Sequence, residues 1–368
     1  MNGINKYILS YTNTRNNLNH AGTKAVSDVE DFLQEYNYES LFIIEDGETK
    51  NKVQKFWSTL DMYLKNKKRL KEKSILVYNY PISYGFIDRI ASRLYIEQLK
   101  ISNVTKVAII HDINSLRSFK GDKISVENVS NEINQLNKFD YVISHNSTMS
   151  KWLRDNGLRK KIIDLEVFDY KIEKDIKKII KEKCDDITIA FAGNLEPNKS
   201  NFVYNLDSLD TGKIKFNLYG PNYINIEKNF NDIEYKGVYK PEELTSVLYE
   251  DFGLIWDGNS LNSCSGEFGE YTKYNNPHKL SLYIAAGLPV IVWKKAAIAK
   301  FVEKYRIGIC INSLEEIPGI IKNMTENEIE NMKVNVNDIK QLVIKGNFIK
   351  CALSKVEDEI IGGNLDEI

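Results

Sequence analysis

Short apolar runs rich in β-branched and aromatic residues alternate with longer charged, amphipathic segments along the chain. In the first half the apolar runs predict strands, and apolar residues spaced three and four apart between them predict helices. Near-continuous apolar strands that alternate with helices favour a parallel sheet covered on both faces. The predicted strands are 7–11, 41–44, 75–80, 107–110, 141–144 and 162–165, and the predicted helices are about 23–36, 50–70, 84–100, 125–137 and 147–156.

A second series of the same kind follows a charged stretch at residues 171–186, which we interpret as a helix or linker. The chain is therefore predicted to be an α/β protein with two doubly wound domains, residues 1–168 and 169–345, whose facing sheets form a central cleft. Residues 346–368 contain a further helix pattern, expected to pack back toward the first domain. The second series has predicted strands at 187–192, 214–219, 233–235, 253–256, 290–293 and 308–311, and helices at about 241–249, 277–286, 296–305, 314–323 and 326–345.

Length and composition support this organisation and exclude several classes of protein. At 368 residues the chain is too long for one ordinary core. Its 50 basic and 51 acidic residues nearly cancel, so no overall field attracts nucleic acid. The four cysteines form no CxxC pair, which argues against a zinc site or a disulfide framework and in favour of a reducing cytoplasm.

The hydrophobic pattern predicts neither a signal peptide nor a spanning helix. The longest uncharged stretch, residues 280–293, is shorter than the ~20 residues that a membrane span needs, and Pro289 lies inside it. A basic run at residues 65–73 is compatible with peripheral contact at the inner face of a membrane, or with the solvated end of a helix. We expect a cytoplasmic protein and leave that peripheral contact open.

The segment Asn275–Trp293 carries the strongest chemical signal. Pro277 suits the first turn of a helix, and Asn275 or Asn276 can cap that helix. Lys279 then lies in the first turn, where the helix dipole opposes a cation and where a bound anion would remove the conflict. The segment predicts a diphosphate site at a helix N-terminus; the alternative is a surface lysine on a packing helix.

A second candidate lies at the end of the first strand of the second half, in the sequence GNLEPNK at residues 193–199. Gly193 allows the backbone to turn sharply, and Asn194 and Lys199 can reach a phosphate or ribose at the point where the strand order reverses. A glycine after a strand is weak evidence alone, but its position at the opening of the second domain strengthens it.

In the first half, His111 and Asp112 end the strand 107–110. A carboxylate at the carboxyl end of a strand is well placed to accept a proton from an acceptor hydroxyl, and His111 could do the same or orient the substrate. The structural alternative is that Asp112 caps the next turn or that His111 satisfies a backbone group. A polar loop, Asn13 to Thr23, precedes the first helix, and its Gly22 and Thr23 could approach a substrate closely.

Motifs of several enzyme classes are missing from the sequence. There is no HExxH, no GxxxxGK[ST] phosphate loop, no GxGxxG and no DxD pair at a strand end. Their lack excludes P-loop ATPases and most simple nicotinamide enzymes. We predict no metal site and no cofactor.

These motifs resemble a family. The stretch Tyr271–Val292, with Asp257-Gly258 and Cys264-Ser265-Gly266-Glu267 upstream, is similar to bacterial β-1,6-galactofuranosyltransferases of polysaccharide assembly. It is similar, more distantly, to the glucosyltransferases that extend GlcNAc on serine-rich adhesins. The block PHKLSLYIAAGLPVIVW is specific, and looser similarity runs from Ala21 to Gly308. The loop SCSGEFGEYTKYNN before Pro277 favours the galactofuranosyl branch.

The resemblance implies the GT-B fold, with two Rossmann-like domains, the acceptor bound by the first and a UDP-sugar by the second. It implies inverting, metal-independent transfer of a hexose, with Asp112 or His111 as the base and Lys279 stabilising the leaving UDP. Lys199 stands where relatives can have arginine. The implied UDP contacts are Asn194, Lys199, Tyr239, Lys279, Leu280, Ser281, Leu282, Tyr283 and Ile284.

The expected partners are a UDP-sugar donor, which is a substrate and not a cofactor, and a glycan or lipid-linked glycan acceptor. A homo-oligomer is compatible with the sequence. Three alternatives stay open: a UDP-glucose-dependent glucosyltransferase acting on GlcNAc of an adhesin, a nucleotide-sugar epimerase of the same fold, and a non-catalytic partner subunit.

Overall fold

The computed structural model of the protein describes residues 4–11, 21–43, 51–81, 86–99, 103–117, 126–172, 186–225 and 232–363. Within these ranges the chain forms two compact units. One comprises residues 1–115, 125–165 and 346–368, and the other comprises residues 116–124 and 166–345.

The first unit contains a six-stranded, all-parallel sheet in the order β2-β1-β3-β4-β5-β6. Its central strand β3 is buried along its whole length, whereas the edge strand β2 alternates between buried and exposed positions. The strands are β1 (Asn5–Tyr11), β2 (Glu39–Ile43), β3 (Ser74–Tyr80), β4 (Val104–Ile110), β5 (Tyr141–Ser144) and β6 (Lys161–Asp164). The helices along this part of the chain are α1 (Ala21–Glu35), α2 (Lys52–Arg69), α3 (Phe86–Leu99), α4 (Asn114–Arg117), α5 (Val126–Leu136) and α6 (Ser147–Asp155).

The second unit also contains a six-stranded parallel sheet, in the order β12-β11-β10-β7-β8-β9. Its strands are β7 (Ile187–Ala192), β8 (Ile214–Tyr219), β9 (Ile233–Gly237), β10 (Phe252–Ile255), β11 (Val290–Trp293) and β12 (Gly308–Ile311). Its helices are α7 (Pro197–Ser200), α8 (Pro241–Val247), α9 (Gly266–Tyr271), α10 (His278–Ala286), α11 (Ala299–Tyr305), α12 (Ile317–Asn323) and α13 (Glu326–Val343), with 3₁₀ helices at Asn201–Ser208 and Leu314–Glu316.

The last helix, α14 (Asn347–Gly363), belongs to the first unit. Polar contacts fix it there: Lys6 Nζ lies 2.6 Å from Glu357 Oε2, and the Tyr38 hydroxyl donates to Glu357 Oε1 at 2.9 Å. The hydroxyls of Tyr36 and Ser354 are 2.8 Å apart. Burial together with the Glu357 carboxylate raises the pKa of Tyr38 well above its usual value, so this hydroxyl stays protonated and donates.

Helix α10 is buried along most of its length, and its Tyr283 packs against the second sheet. A Cβ on Gly253 of β10 would lie 2.3 Å from Cγ of Tyr283, so only glycine leaves room for this ring. The Tyr283 hydroxyl accepts from the Ala192 N–H at 2.8 Å and lies 3.2 Å from the Leu254 carbonyl, to which it can donate. The end of β7 is thereby fixed to α10.

The α/β class and the two doubly wound sheets predicted from the sequence are confirmed. The second sheet has the strand order of a Rossmann fold. The first sheet has the related order in which β3 lies next to β1. Short elements at residues 114–117, 197–208 and 266–271 were not predicted, because they hold too few residues for a periodic pattern. Most of the predicted linker, 173–185, lies outside the described residues. Among the helices that are described, none has the length and apolar character of a membrane span.

Candidate nucleotide-sugar site

The second sheet reverses its strand order between β7 and β10, and a mostly buried lysine lies at that point. The Lys279 ammonium is 2.8 Å from Asp257 Oδ1 and 3.1 Å from the Trp256 carbonyl, both just after β10. It is also 4.4 Å from the centre of the Phe191 ring, which faces it from β7. A cation is therefore fixed at the carboxyl edge of the sheet, where ligands of such sheets bind.

Burial lowers the pKa of Lys279 from its usual value, and the nearby charge of Lys199 lowers it further, while the Asp257 carboxylate opposes both effects. The side chains of Lys279 and Asp257 are only 11% and 10% exposed, so little water screens their pair. A buried ion pair of this kind contributes little net stability, because desolvation offsets most of the attraction. Its effect is to hold the ammonium in one place.

Gly193 makes room for that lysine. A Cβ at Gly193 would lie 2.9 Å from Cε of Lys279, closer than real Cβ contacts. On its other side Gly193 meets the loop after β8, where a Cβ on Gly220 would lie 1.8 Å from the Gly193 carbonyl oxygen. Gly220 has a positive φ of 136°, which glycine tolerates. The two glycines allow the loops after β7 and β8 to pass close to Lys279.

Asn194 and Lys199 follow Gly193 but do different things. Asn194 Oδ1 accepts from the Glu196 N–H at 3.0 Å and from Asn222 Nδ2 at 2.9 Å, so its oxygen shapes the turn. Lys199 lies in α7, and its ammonium is 5.3 Å from the centre of the Phe268 ring. The Lys199 carbonyl accepts from the Gly258 N–H at 2.8 Å, which connects the loops after β7 and β10.

Three stacked tyrosines brace the same loops from the side of β9. The Tyr223 ring lies 4.5 Å from Tyr235 and 5.9 Å from Tyr204, nearly parallel to both. The Tyr204 hydroxyl donates to the Leu195 carbonyl at 2.7 Å, and the Tyr235 hydroxyl donates to the Gly220 carbonyl at 3.0 Å. Tyr239, another predicted contact, lies beyond β9, is 37% exposed and has its ring 5.9 Å from Tyr219.

The side chains of residues 280–284 are all buried. The hydroxyl of Ser281 donates to the Phe168 carbonyl at 2.7 Å, and Tyr283 is bonded to the sheet as described above. In this geometry Lys279 is the residue of this block that presents a functional side chain at the strand edge. Leu280, Ser281, Leu282, Tyr283 and Ile284 hold the helix in place, and their role as UDP contacts stays a prediction.

The predicted asparagine cap of this helix is wrong. The N-cap residue is Pro277, with no side-chain cap, and Asn276 Nδ2 instead donates to the Glu166 carbonyl at 3.0 Å. The chain turns one residue later than the sequence pattern implies, so Lys279 is the second helical residue. Gly287 ends the helix with a positive φ of 83°, as its position before β11 predicts.

In the first unit, His111 and Asp112 directly follow β4, and both are partly exposed. The His111 ring nitrogen Nε2 lies 2.8 Å from Asn79 Oδ1 at the end of β3. Gly22 and Thr23 lie in the first turn of α1, while the preceding loop residues 12–20 fall outside the described part of the chain. His111 and Asp112 are thus together at the edge of the first sheet, and Lys279, Asn194 and Lys199 are together at the edge of the second.

Sequence reasoning assigned no role to Asp257, Asn79 or Glu30. Asp257 entered the sequence analysis only through the family resemblance, but its place after the apolar strand 252–255 is a local signal like that of His111. Asn79 is hidden inside the run SILVYNY, and Glu30 inside the helix α1, with no local signal for either. Among the described residues, no group of three or more histidine, cysteine or acidic side chains is arranged to hold a metal ion.

Family models match both halves of the chain. The N-terminal domain of the glucosyltransferase 3-like family matches residues 5–167, and its C-terminal domain matches residues 189–356. The β-1,6-galactofuranosyltransferase WbbI of Escherichia coli K12 is 32% identical over 92% of this chain and 95% of its own. Glucosyltransferase 3 of Streptococcus gordonii is 26% identical over 78% of this chain and 80% of its own.

Solved structures share the fold at low identity. Sucrose-phosphate synthase of Thermosynechococcus elongatus superposes with a TM-score of 0.63 at 11% identity, covering 98% of this chain and 100% of its own. The O-GlcNAc transferase of Thermobaculum terrenum gives a TM-score of 0.56 at 11% identity, covering 97% of this chain and 68% of its own. The resemblance noted in the sequence is confirmed, and the chain belongs to the glucosyltransferase 3-like family of GT-B glycosyltransferases.

Proposed function

We propose that this glycosyltransferase moves a hexose, with galactofuranose favoured, from a UDP-sugar to a glycan acceptor in the synthesis of a cell-surface polysaccharide. The observation that carries the donor assignment is the buried ammonium of Lys279 at the reversal point of the second sheet, beside Gly193. A fixed cation at a helix N-terminus suits a diphosphate. Asn194, Lys199 and Tyr239 complete the proposed UDP contacts from the loops after β7 and β9.

The choice of galactofuranose is supported by WbbI, whose name states that activity and whose sequence matches nearly end to end. Glucose is the second candidate, since the more distant relatives are named glucosyltransferases. The loop before α10 is built for close packing: a Cβ on Gly269 would lie 2.5 Å from the Cys264 carbonyl carbon. Replacing this loop by that of a glucosyltransferase relative should shift donor preference.

In the proposed reaction the Asp112 carboxylate, or else His111, accepts the proton of an acceptor hydroxyl. The oxygen forms a bond to the anomeric carbon, and the bond from that carbon to the diphosphate oxygen breaks on the opposite face, so the configuration inverts. The electron pair leaves with UDP, whose added negative charge Lys279 stabilises. We propose that Lys279 and the N–H groups of the first turn of α10 supply this stabilisation without a metal ion or cofactor.

A glycan or lipid-linked glycan is the proposed acceptor, bound on the side of the first domain near Gly22, Thr23 and His111. We propose that the protein acts in the cytoplasm, a location that includes contact with the inner face of the membrane. The basic end of α2, where Lys67, Lys68 and Arg69 lie in the last turn, is the surface that would make such contact. Association into a homo-oligomer is also compatible with the proposal.

The proposal is tested by screening UDP-sugars, with UDP-galactofuranose and UDP-glucose first, against lipid-linked and GlcNAc acceptors by mass spectrometry. Lys279→Ala should weaken UDP binding in calorimetry, whereas Lys300→Ala, an exposed lysine on the same domain, should not. Asp112→Asn should retain UDP affinity and lose transfer.

Three outcomes would contradict the proposal. Unchanged UDP affinity in Lys279→Ala would refute the donor site. An isomerised sugar formed from the donor alone would indicate an epimerase, and a lack of UDP release with every acceptor would indicate a non-catalytic subunit.

A further inference from the structure

Two buried polar side chains, Asn79 of β3 and Glu30 of α1, form a hydrogen-bonded chain with His111. His111 Nε2 lies 2.8 Å from Asn79 Oδ1, and Asn79 Nδ2 donates to Glu30 Oε1 of α1 at 3.5 Å. Glu30 is fully buried and Asn79 is 8% exposed, although both are polar. Burying a carboxylate and an amide is costly unless they have partners, so their presence at this strand edge calls for a physical role.

The order of donors along this chain fixes one form of the His111 ring. A carboxylate only accepts hydrogen bonds, so Glu30 takes an N–H of the Asn79 amide, and the amide oxygen then faces His111. That oxygen requires a proton on His111 Nε2, which leaves the lone pair of the neutral ring on Nδ1. Nδ1 is shielded from solvent. One ring nitrogen of His111 is therefore bonded to the buried Asn79, and the other is shielded from solvent.

The residues on either side of Asp112 are held as firmly. The buried carboxylate of Glu132 accepts from the Ser115 N–H at 2.8 Å and from the Asn114 N–H at 3.0 Å. The backbone N–H of His111 donates to the Tyr80 carbonyl at 2.8 Å, which continues the pairing of β3 and β4 by one residue. The His145 ring, also buried, hydrogen-bonds the backbone at Ile110 and His111. Asp112 is thus a partly exposed carboxylate between fixed neighbours.

From this arrangement we propose that His111 does not accept the proton, and that Asn79 and Glu30 are positioning residues that fix the His111 ring and, through the backbone that His111 shares with Asp112, the place of the Asp112 carboxylate. Asp112 is then the group that takes the proton. This inference rests on the proposed function, and it decides between the two base candidates that the sequence leaves open. If the proposal is right, reversing the hydrogen bonds between Glu30, Asn79 and His111 should slow sugar transfer. It should leave UDP-sugar binding unchanged, because these residues lie on the first domain.

The first test does not depend on activity. The chain has four histidines, so selective ¹⁵N labelling of histidine gives a spectrum simple enough to assign with His111→Gln as the reference. The neutral His111 ring should carry its proton on Nε2 in the wild type. In Glu30→Gln, the new amide can donate to Asn79 Oδ1 and turn the Asn79 amide around, so the His111 proton should move to Nδ1. A wild-type ring protonated on Nδ1 would overturn the proposal even if the enzyme transfers sugar normally.

The second test uses a compensating pair of substitutions. Glu30→Gln and Asn79→Asp should each lower kcat by about 10- to 100-fold through misplacement of Asp112, with UDP affinity unchanged. Combined, they restore the order of donors, because the glutamine amide introduced at position 30 donates to the carboxylate introduced at position 79, and that carboxylate accepts from His111 Nε2. The double variant should therefore recover most of the lost kcat. Additive losses would contradict the assignment.

The third test separates the base from its support. His111→Gln retains an N–H that can reach Asn79, so it should lower kcat by no more than the roughly 10- to 100-fold expected of Glu30→Gln, whereas Asp112→Asn should abolish transfer. The basic limb of the pH–rate profile should be unchanged in His111→Gln, and so should the acidic limb. Loss of transfer in His111→Gln as complete as in Asp112→Asn, with correct folding by circular dichroism, would make His111 the base. If wild-type protein transfers no sugar from any UDP donor, the proposed function fails, while the labelling result still stands.

Discussion

The Lys279 ammonium lies 2.8 Å from the Asp257 carboxylate, on two segments separated by 22 residues in sequence. Asp257 follows β10 and Lys279 lies in the first turn of α10, so the sheet edge brings the pair together. The sequence pattern suggested that a bound anion would relieve the unfavourable place of a lysine at a helix N-terminus. Asp257 provides that relief within the protein itself, and a diphosphate would approach a lysine that is already oriented.

This pair predicts a change in the pH dependence of UDP binding. Burial lowers the pKa of Lys279 and Asp257 raises it, so Asp257→Asn should lower that pKa further. Because the lysine holds a diphosphate only when protonated, UDP affinity should begin to fall at a lower pH in the variant as pH is raised. Calorimetry from about pH 7 to about pH 10 measures this, because a lysine with a lowered pKa titrates below the usual value of about 10.4.

The control for Asp257→Asn is Glu270→Gln. It breaks the pair between Lys273 and Glu270, which are 2.5 Å apart and more than a third exposed on the same domain. An exposed pair contributes little, so UDP affinity and its pH dependence should match the wild type. If UDP binding by Asp257→Asn has the same pH profile as in the wild type, Asp257 does not set the pKa of Lys279.

Gly193→Ala should weaken UDP binding at small cost in stability. The new methyl group would lie 2.9 Å from Lys279 Cε, and the flexible lysine side chain, not the backbone, would move. The φ of Gly193 lies outside the left-handed region, so alanine adopts the backbone without strain. Calorimetry should show a loss of affinity of roughly 10-fold, the effect of about 1.4 kcal/mol.

Gly319→Ala in α12 is the matched control, because within the described residues its added methyl group would have no atom within 4 Å apart from the backbone of its own helix and its chain neighbours. Alanine favours a helix over glycine by up to ~1 kcal/mol, so this variant should be as stable as the wild type or slightly more stable, with UDP affinity unchanged. Equal UDP affinity in both glycine variants would argue that the position of Lys279 is unimportant for the ligand.

Lys199 is expected to contact the diphosphate through its charge. Lys199→Arg should keep UDP affinity or improve it, since arginine can donate two parallel hydrogen bonds to a phosphate. Lys199→Met should reduce affinity and, by removing a neighbouring positive charge, raise the pKa of Lys279. Lys300→Met, which removes an exposed charge elsewhere on the domain, is the reference. Normal UDP binding by Lys199→Met would exclude Lys199 from the site.

Acid should destabilise the first domain through His145. Burial lowers the pKa of His145 to about 4, whereas the unfolded chain binds the proton near the usual pKa of about 6.5. Between these values the unfolded state holds more protons, so stability rises with pH across this window, by about 3 kcal/mol in total. Above pH ~6.5 and below pH ~4 the contribution of this group no longer changes with pH.

Denaturant unfolding from about pH 4 to about pH 7 should show this slope in the wild type and a flatter one in His145→Gln. The glutamine amide can still donate to the backbone near Ile110 and His111 but does not titrate. A control at the exposed surface of the same domain is Lys151→Gln, which leaves His145 intact and should keep the slope. An unchanged slope in His145→Gln would assign the acid sensitivity to other groups.

Much of the fold could be predicted because each buried strand is visible in its local sequence. The predicted strands Tyr141–Ser144, Ile187–Ala192 and Val290–Trp293 have the same ends in the structure. In a parallel sheet covered on both faces the strand is buried where the sequence is apolar, so the polar residues that bound the run mark its ends. The asparagine cap before α10 was not predicted correctly. Asn276 has a partner, the Glu166 carbonyl, 110 residues away, and a distant partner leaves no trace in a local pattern.

The sequence by itself determined the α/β class, the two parallel sheets and the presence of a lysine at the start of a helix, because hydrophobic periodicity and helix-end chemistry act over a few residues. Only the tertiary structure decided that Asp257 holds Lys279, that Gly193 makes room for it, and that Glu30 and Asn79 stand behind His111. Each of these contacts joins segments between 22 and 86 residues apart. Such contacts depend on which strands become neighbours, and that order is set by the packing of the whole sheet.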